Sequence, residues 1–337
     1  MPRLRRVDCS APGIRRIRRG RGFSYEDSDG DKVTDPDAIE RIAGLAIPPA
    51  WTEVWICPDP RGHLQATGFD DAGRKQYLYH DHWRAHRDRL KFERMLEFAT
   101  RLPRMRERLA EDLSLRGLQE RRVLACTAKL LDLGLFRVGG ERYAAENESF
   151  GLATMRRSHV ELDNGRAVFD FPAKGTKRQV QEIADASVLP TIRALLRRNG
   201  GGPELFAYRV GREWRDVESE AINDYLKELT GDEFSAKDFR TWNATVLAAV
   251  AVATASNGEK TKSTRRRIAN EATKKVAEYL NNTPAVCRSA YIDPRVFDRF
   301  DSGETIRPAL ERIGANGEPE GFADREKIER AVRRLIS

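Results

Sequence analysis

Arg137, Lys174, Arg240, Asn282 and Tyr291 are the residues of this 337-residue chain whose side chains, brought together, could do chemistry at phosphorus. A tyrosine phenol attacks once something takes its proton, since its ordinary pKa is about 10. Two guanidiniums can clamp a phosphodiester bidentately and stay charged at any working pH. They would stabilise the extra negative charge of a pentacoordinate phosphorus. Asn282, nine residues before Tyr291, adds one neutral donor for a non-bridging oxygen. Lys174 could protonate a departing alkoxide, which is too basic to leave unaided. The set reads as phosphoryl transfer through a covalent tyrosyl intermediate, with fixed cations carrying the charge and no metal or cofactor expected. Each residue alone is ordinary, because a tyrosine is usually a core or rim aromatic and a hairpin lysine usually solubilises. The case rests on the series.

Several elements must position these groups. Asn281 to Pro294 is punctuated by Pro284 and Pro294, so neither end should continue a long helix, and Tyr291 sits just before the second break. A helix is predicted over 120–135, with the Gly139-Gly140 pair read as its end, fixing Arg137 beside flexible backbone. Strands over 159–162 and 166–171 flank Asn164-Gly165, a type I′ hairpin signal. Pro172 to Lys177 reads as a second turn with Lys174 at its tip, leading to a third strand over 178–183. Ser235-Ala236-Lys237-Asp238 is a capping box opening a helix with Phe239, Trp242, Val246, Ala249 and Val250 on its apolar face. Arg240 is expected in its first turns, off that face. The remainder after the third strand reads as helical, with helices over 190–198, 217–230, 263–281 and 325–336.

The N-terminal part differs. Residues 1–21, with eight Arg and one Asp, read as a partly disordered basic arm. Strands are expected around Phe23-Ser24-Tyr25, Val54 to Cys57, His63 to Thr67 and Arg74 to His80, with a helix from Pro36 capped by Thr34 or Asp35. Tyr77 and Tyr79, two apart, would share a strand face. Arg74, Gln76 and Tyr79 carry donors suited to base edges and phosphates. A helix is predicted over 84–102, interrupted at Pro103 and resumed over 105–115. The linker is placed near 80–86, giving a β-rich domain over 1–85 and a larger, mainly helical domain over 86–337 that contains the small three-stranded antiparallel sheet: an α+β protein.

Lys+Arg 60 against Asp+Glu 52 gives +8, and a second basic run holds seven Lys/Arg over 260–275. Such concentrations favour a polyanion partner. Cys9, Cys57, Cys126 and Cys287 are scattered, with no C-x-x-C pair, so they read as incidental reduced thiols. The spacing of His80, His82 and His86 fits no metal pattern. With no apolar run of membrane-spanning length and no signal-peptide pattern, a cytoplasmic protein is expected.

The motifs, taken in order, resemble those of type IB DNA topoisomerases of the poxvirus-like, bacterial branch. FRVGGERYAAENESFGL resembles the first arginine motif, carrying Arg137, with Tyr143 where the family has a DNA-contacting tyrosine. FPAKGTK resembles the hairpin of the catalytic lysine, Lys174, and SAKDFRTWNAT the second arginine motif, Arg240. NNTPAVCRSAYIDP resembles the nucleophile motif, with Tyr291 as nucleophile and Asn282 where viral members carry histidine. GRKQYLY resembles the major-groove strand, through Arg74, Gln76, Tyr77 and Tyr79. The resemblance implies a C-shaped clamp on double-stranded DNA. Tyr291 would form a 3′-phosphotyrosyl bond, the duplex would swivel, and the 5′-hydroxyl would reseal the nick. Supercoils of both signs would relax without ATP or metal, in a nucleoid-associated enzyme for which a monomer suffices. The alternative, a tyrosine recombinase or integrase, is disfavoured because Lys237-Asp238-Phe239-Arg240 stands in place of His-x-x-Arg.

Overall fold

The computed structural model describes residues 3–134, 136–173, 177–256, 258, 261–314 and 322–337. The chain divides into two compact units, Met1–Phe92 and Glu93–Ser337, and the boundary falls within one long helix. The architecture is α+β, with an antiparallel sheet in the first unit and a helical second unit that carries a small three-stranded sheet.

The first unit contains β1 (Ile14–Arg19), β2 (Gly22–Glu26), α1 (Pro36–Gly44), β3 (Thr52–Ile56), β4 (Leu64–Phe69) and β5 (Lys75–Tyr79). Its strands form one sheet in the order β2-β1-β3-β4-β5. Asp35 caps α1 by accepting the Asp37 amide at 3.2 Å, with Pro36 in the first turn. The basic arm expected at the N-terminus is instead partly a strand. Ile14 is buried with Ile42, Val54, Ile56 and Ala66. Arg16 stacks on Phe23 at 4.2 Å and donates to the carbonyls of Ile47, Pro48 and Trp51. Arginine stems can cover a sheet while their heads find carbonyls, so the charge run did not signal disorder.

The second unit takes in most of α2 (Asp81–Leu113), which runs through Pro103 instead of breaking there. Proline inside a helix costs about 3 kcal/mol. Offsetting it, Phe98, Leu102, Met105 and Leu109 are buried along α2. Arg106 is also buried, and pairs with Asp132 at 2.8 Å and Glu329 at 2.7 Å. Removing one partner of such a buried pair is strongly destabilising, so the helix is held on both sides of the proline.

Next come α3 (Glu120–Asp132), α4 (Glu141–Asn147), β6 (Val160–Asp163), β7 (Arg166–Ala173) and β8 (Lys177–Ile183). The β6–β7 turn has Asn164 at φ 44° and Gly165 at φ 79°, the left-handed pair that the Asn-Gly signal predicted. After α5 (Leu189–Arg197), a hairpin of β9 (Ala207–Val210) and β10 (Glu213–Asp216) interrupts a region expected to be wholly helical. Four-residue strands give too short an alternation to stand out in a charged sequence.

The chain closes with α6 (Ser219–Thr230), α7 (Ala236–Ala255), α8 (Lys262–Leu280), α9 (Pro284–Ala290), α10 (Arg295–Asp301), α11 (Arg307–Ile313) and α12 (Phe322–Ile336). Helix α7 packs against α3, α8, α10, α11 and α12. Its many alanines permit that close approach, and Trp242, Ala244, Ala248, Val252 and Ala253 are almost fully buried.

Candidate active site

Helix α7 starts at a cap that the sequence announced. The Asp238 carboxylate accepts the Ser235 amide at 2.8 Å and its hydroxyl at 3.0 Å. One and a half turns in lies Arg240, expected off the apolar face but only 6% exposed. The difference arises because α7 is enclosed on several sides, so its polar positions are buried too. Nη2 of Arg240 donates to the Leu280 carbonyl at 2.7 Å. Leu280 ends α8, where carbonyls lack intrahelical partners and the helix dipole favours a cation. Asn281 then adopts a left-handed conformation, φ 49° and ψ 56°, and turns the chain out of α8.

Three donors in this part of the chain, Trp242 Nε1 among them, have no acceptor among the described residues. Nε of Arg240 and Nδ2 of Asn282 are both buried without a hydrogen-bond partner. Leaving buried donors unpaired typically costs about 1–3 kcal/mol each. An oxyanion would satisfy both the geometry and the charge. Burial, reinforced by the like charge of Arg137, pushes the Arg240 guanidinium down to about 10, while the Tyr291 phenol opposes the shift. The guanidinium carbon of Arg240 lies 5.6 Å from the centre of the Tyr291 ring.

Tyr291 is half-buried at the C-terminal cap of α9, three residues before Pro294. Thr283 caps the other end, accepting the Val286 amide at 3.3 Å, with Pro284 in the first turn. The Cys287 carbonyl accepts the amides of both Tyr291 and Ile292, at 3.0 and 2.9 Å. Thr245, five residues beyond Arg240 on α7, fixes the next residue: its hydroxyl accepts the Asp293 amide at 3.1 Å and donates to the Thr241 carbonyl at 2.9 Å. The fully buried Asp293 carboxylate in turn binds Arg295 at 2.7 Å. One helix therefore carries Arg240 and also fixes the backbone of the tyrosine segment. Thr245 stood in the second arginine motif, yet nothing in its type revealed this contact.

Arg137 occupies a loop held on two sides. The buried Phe136 ring meets Phe169 edge-on at 4.9 Å. The Arg137 carbonyl accepts the Leu152 amide at 2.9 Å, and that of Val138 accepts Ala153 at 2.7 Å. Gly139, at φ 78°, and Gly151 pass with their backbones in contact. A Cβ on Gly139 would lie 2.7 Å from the Gly151 Cα, and one on Gly151 would lie 2.5 Å from the Gly139 Cα. The glycine pair is thus a crossing point, not the end of α3. Gly134, at φ 83°, lies at that end instead.

The structure therefore gathers Arg137, Arg240 and Tyr291, with Asn282 two residues beyond the carbonyl that holds Arg240. Lys174 lies outside the described residues, between β7 and β8. Tyr143 falls within α4. Arg74, Gln76, Tyr77 and Tyr79 belong to the first unit. There, Asp70 accepts Arg74 Nε and Gln76 Nε2, each at 2.9 Å. Tyr77 and Tyr79 stack at 6.2 Å on the exposed edge strand β5.

Residues 80–305 match the family model for the catalytic core of eukaryotic DNA topoisomerase I, and residues 22–70 match that for the N-terminal domain of bacterial DNA topoisomerase IB. The DNA topoisomerase 1B of Acanthamoeba polyphaga mimivirus is 31% identical over 287 residues, covering 83% of this chain and 85% of the relative. DNA topoisomerase 1 of Candidozyma auris is 30% identical over 160 residues, or 47% of this chain and 20% of the relative. That of Mycosarcoma maydis is 25% identical over 195 residues, 52% and 19% respectively. The aligned parts thus span about a fifth of each fungal relative but most of the viral one. The chain belongs to the type IB DNA topoisomerase family.

Proposed function

We propose that this chain relaxes positive and negative DNA supercoils by cutting one strand, letting it rotate and resealing it, with Tyr291 as nucleophile. The Tyr291 phenolic oxygen forms a bond to phosphorus as the bond from phosphorus to the 5′ oxygen breaks. The phenol gives up its proton to solvent water, and the departing oxygen takes one from Lys174. Arg137, Arg240 and Asn282 donate to the non-bridging oxygens, where charge builds in the transition state. Resealing reverses the step. The energy of the broken ester is kept in the 3′-phosphotyrosyl bond, so neither ATP nor a metal is required.

The pair of buried donors without acceptors, Arg240 Nε and Asn282 Nδ2, carries this reading. Asn282 lies two residues beyond the Leu280 carbonyl that holds Arg240, and phosphate oxygens would satisfy both donors. The exposed Tyr77 and Tyr79 and the donors of Arg74 and Gln76 support duplex recognition by β5. A single copy supplies every catalytic group, so a monomer suffices, and the expected setting is the bacterial cytoplasm at the nucleoid.

The test is relaxation of supercoiled plasmid in EDTA without ATP. Trapped adducts digested to peptides should carry their nucleotide on Tyr291. An unchanged topoisomer distribution, or a nucleotide found on another residue, defeats the reading.

A further inference from the structure

The chain leading into Arg137 is gripped by residues that the reaction itself does not use. Asp132 ends α3, and its carbonyl accepts Asn243 Nδ2 at 3.0 Å and Arg325 Nη2 at 2.5 Å. The next carbonyl, of Leu133, accepts the Tyr279 hydroxyl at 2.6 Å. Gly134 lies so near the Asn243 side chain that a Cβ there would stand 2.7 Å from Nδ2. Three successive residues, the last of them three before Arg137, are thus held by α7, α8 and α12.

Asn243 is the centre of this grip. It is 8% exposed and lies one turn beyond Arg240 on the same face of α7. Both ends of its amide are used: Nδ2 donates to Asp132, and Oδ1 accepts Arg325 Nη2 at 3.0 Å. Arg325 is itself fixed by the Asp132 carboxylate at 3.2 Å and Glu329 at 3.0 Å. One helix therefore presents Arg240 directly and, through Asn243, fixes the segment that presents Arg137.

We propose that Asn243, backed by Arg325, is a positioning residue that sets the Arg137 guanidinium relative to Arg240, so that both meet one phosphate. The proposal rests on the phosphate-clamping roles given above to the two arginines. A side chain that only donates, only accepts or is longer cannot make all three contacts at once. A misplacement of about 1 Å far from the reacting atoms can slow chemistry by about a hundredfold.

The experiment measures single-turnover cleavage of a duplex substrate by the full chain, and duplex affinity in a Tyr291→Phe background. It compares wild type, Asn243→Ala, Arg137→Ala and the double variant. Asn243→Ala is expected to slow cleavage by about tenfold to a hundredfold. Duplex affinity should stay within about twofold, and the double variant should cleave no more slowly than Arg137→Ala, because the two residues act as one unit. Equal slowing by Asn243→Ala in both backgrounds, or a loss of affinity matching the loss of rate, overturns the proposal. If Asn243→Ala does not fold, Asn243→Asp keeps the shape and the Arg325 partner but loses the donor, and the same comparison applies. Arg137→Ala cleaving at the wild-type rate would overturn the functional reading itself, and the proposal with it.

Discussion

The Arg240 guanidinium donates to the Leu280 carbonyl at 2.7 Å while its Nε stays buried without an acceptor. The cation is therefore held at a fixed place by the end of one helix, with a donor left over. Burial first, and then the Arg137 charge, bring it down to about 10. In the unliganded fold it releases its proton at lower pH than in the unfolded chain. From about pH 10 up to where the unfolded guanidinium itself titrates, the unfolded chain holds more protons, so this group's contribution to stability rises with pH. At neutral pH the buried charge is a cost, which a phosphate bound there would relieve. In a Tyr291→Phe background, which removes the phenol's own titration, duplex affinity should fall as pH passes about 10. Arg240→Gln should flatten that fall in the same background and, in the chain that keeps Tyr291, slow cleavage by about a hundredfold or more. A pH-independent affinity in the parent variant would remove Arg240 from the phosphate.

The Gly139–Gly151 crossing leaves no room for a methyl group. Gly151→Ala would press Cβ to 2.8 Å from the Arg137 carbonyl oxygen and 2.5 Å from the Gly139 nitrogen. Overpacking of this kind costs about 1–3 kcal/mol, and cleavage should slow because the Arg137 loop must shift. Gly140→Ala, where no heavy atom lies within 4 Å, should cost less than about 1 kcal/mol. Thermal melts and cleavage rates of the two variants check the contrast.

Thr245→Val keeps the shape of the side chain and removes the acceptor for the buried Asp293 amide. Loss of about 1–3 kcal/mol is expected, with slower cleavage, because the amide is left unpaired beside Tyr291. Thr245→Ser should restore most of both. If valine and serine variants cleave alike, the hydroxyl does not position the tyrosine segment.

Lys174→Ala should slow cleavage strongly on ordinary DNA, where the departing oxygen needs a proton. With sulfur in place of that bridging oxygen, a better leaving group, the same variant should lose much less. Equal loss on both substrates would assign the lysine another task.

The edge strand makes a separable prediction for affinity. Arg74→Ala should reduce the salt slope of duplex binding by about 1, with little sequence dependence, as expected for one phosphate contact. Tyr77→Ala should weaken binding while leaving the cleavage rate of bound substrate near that of wild type. A binding curve unaffected by salt, or a Tyr77 variant slow in cleavage alone, would contradict duplex recognition by β5.

Local chemistry was legible in the residues themselves. Asn164-Gly165 dictated a left-handed turn, Ser235 and Asp238 a helix start, and Pro284 and Pro294 the breaks that bound the tyrosine segment. The order of Arg137, Lys174, Arg240 and Tyr291 was enough to suggest phosphoryl transfer. Other features depended on which distant surfaces meet. The burial of Arg240 follows from helices enclosing α7, and the continuity of α2 through Pro103 from ion pairs reaching Asp132 and Glu329. The strand at Ile14–Arg19 exists because Ile14 found a core and Arg16 a ring and three carbonyls. Sequence pattern encodes period, turn preference and functional groups, all set within a few residues. Burial, close backbone approach and the partner of each donor are set by contacts between residues far apart in the chain, and those contacts decide which of its many cations stand beside Tyr291.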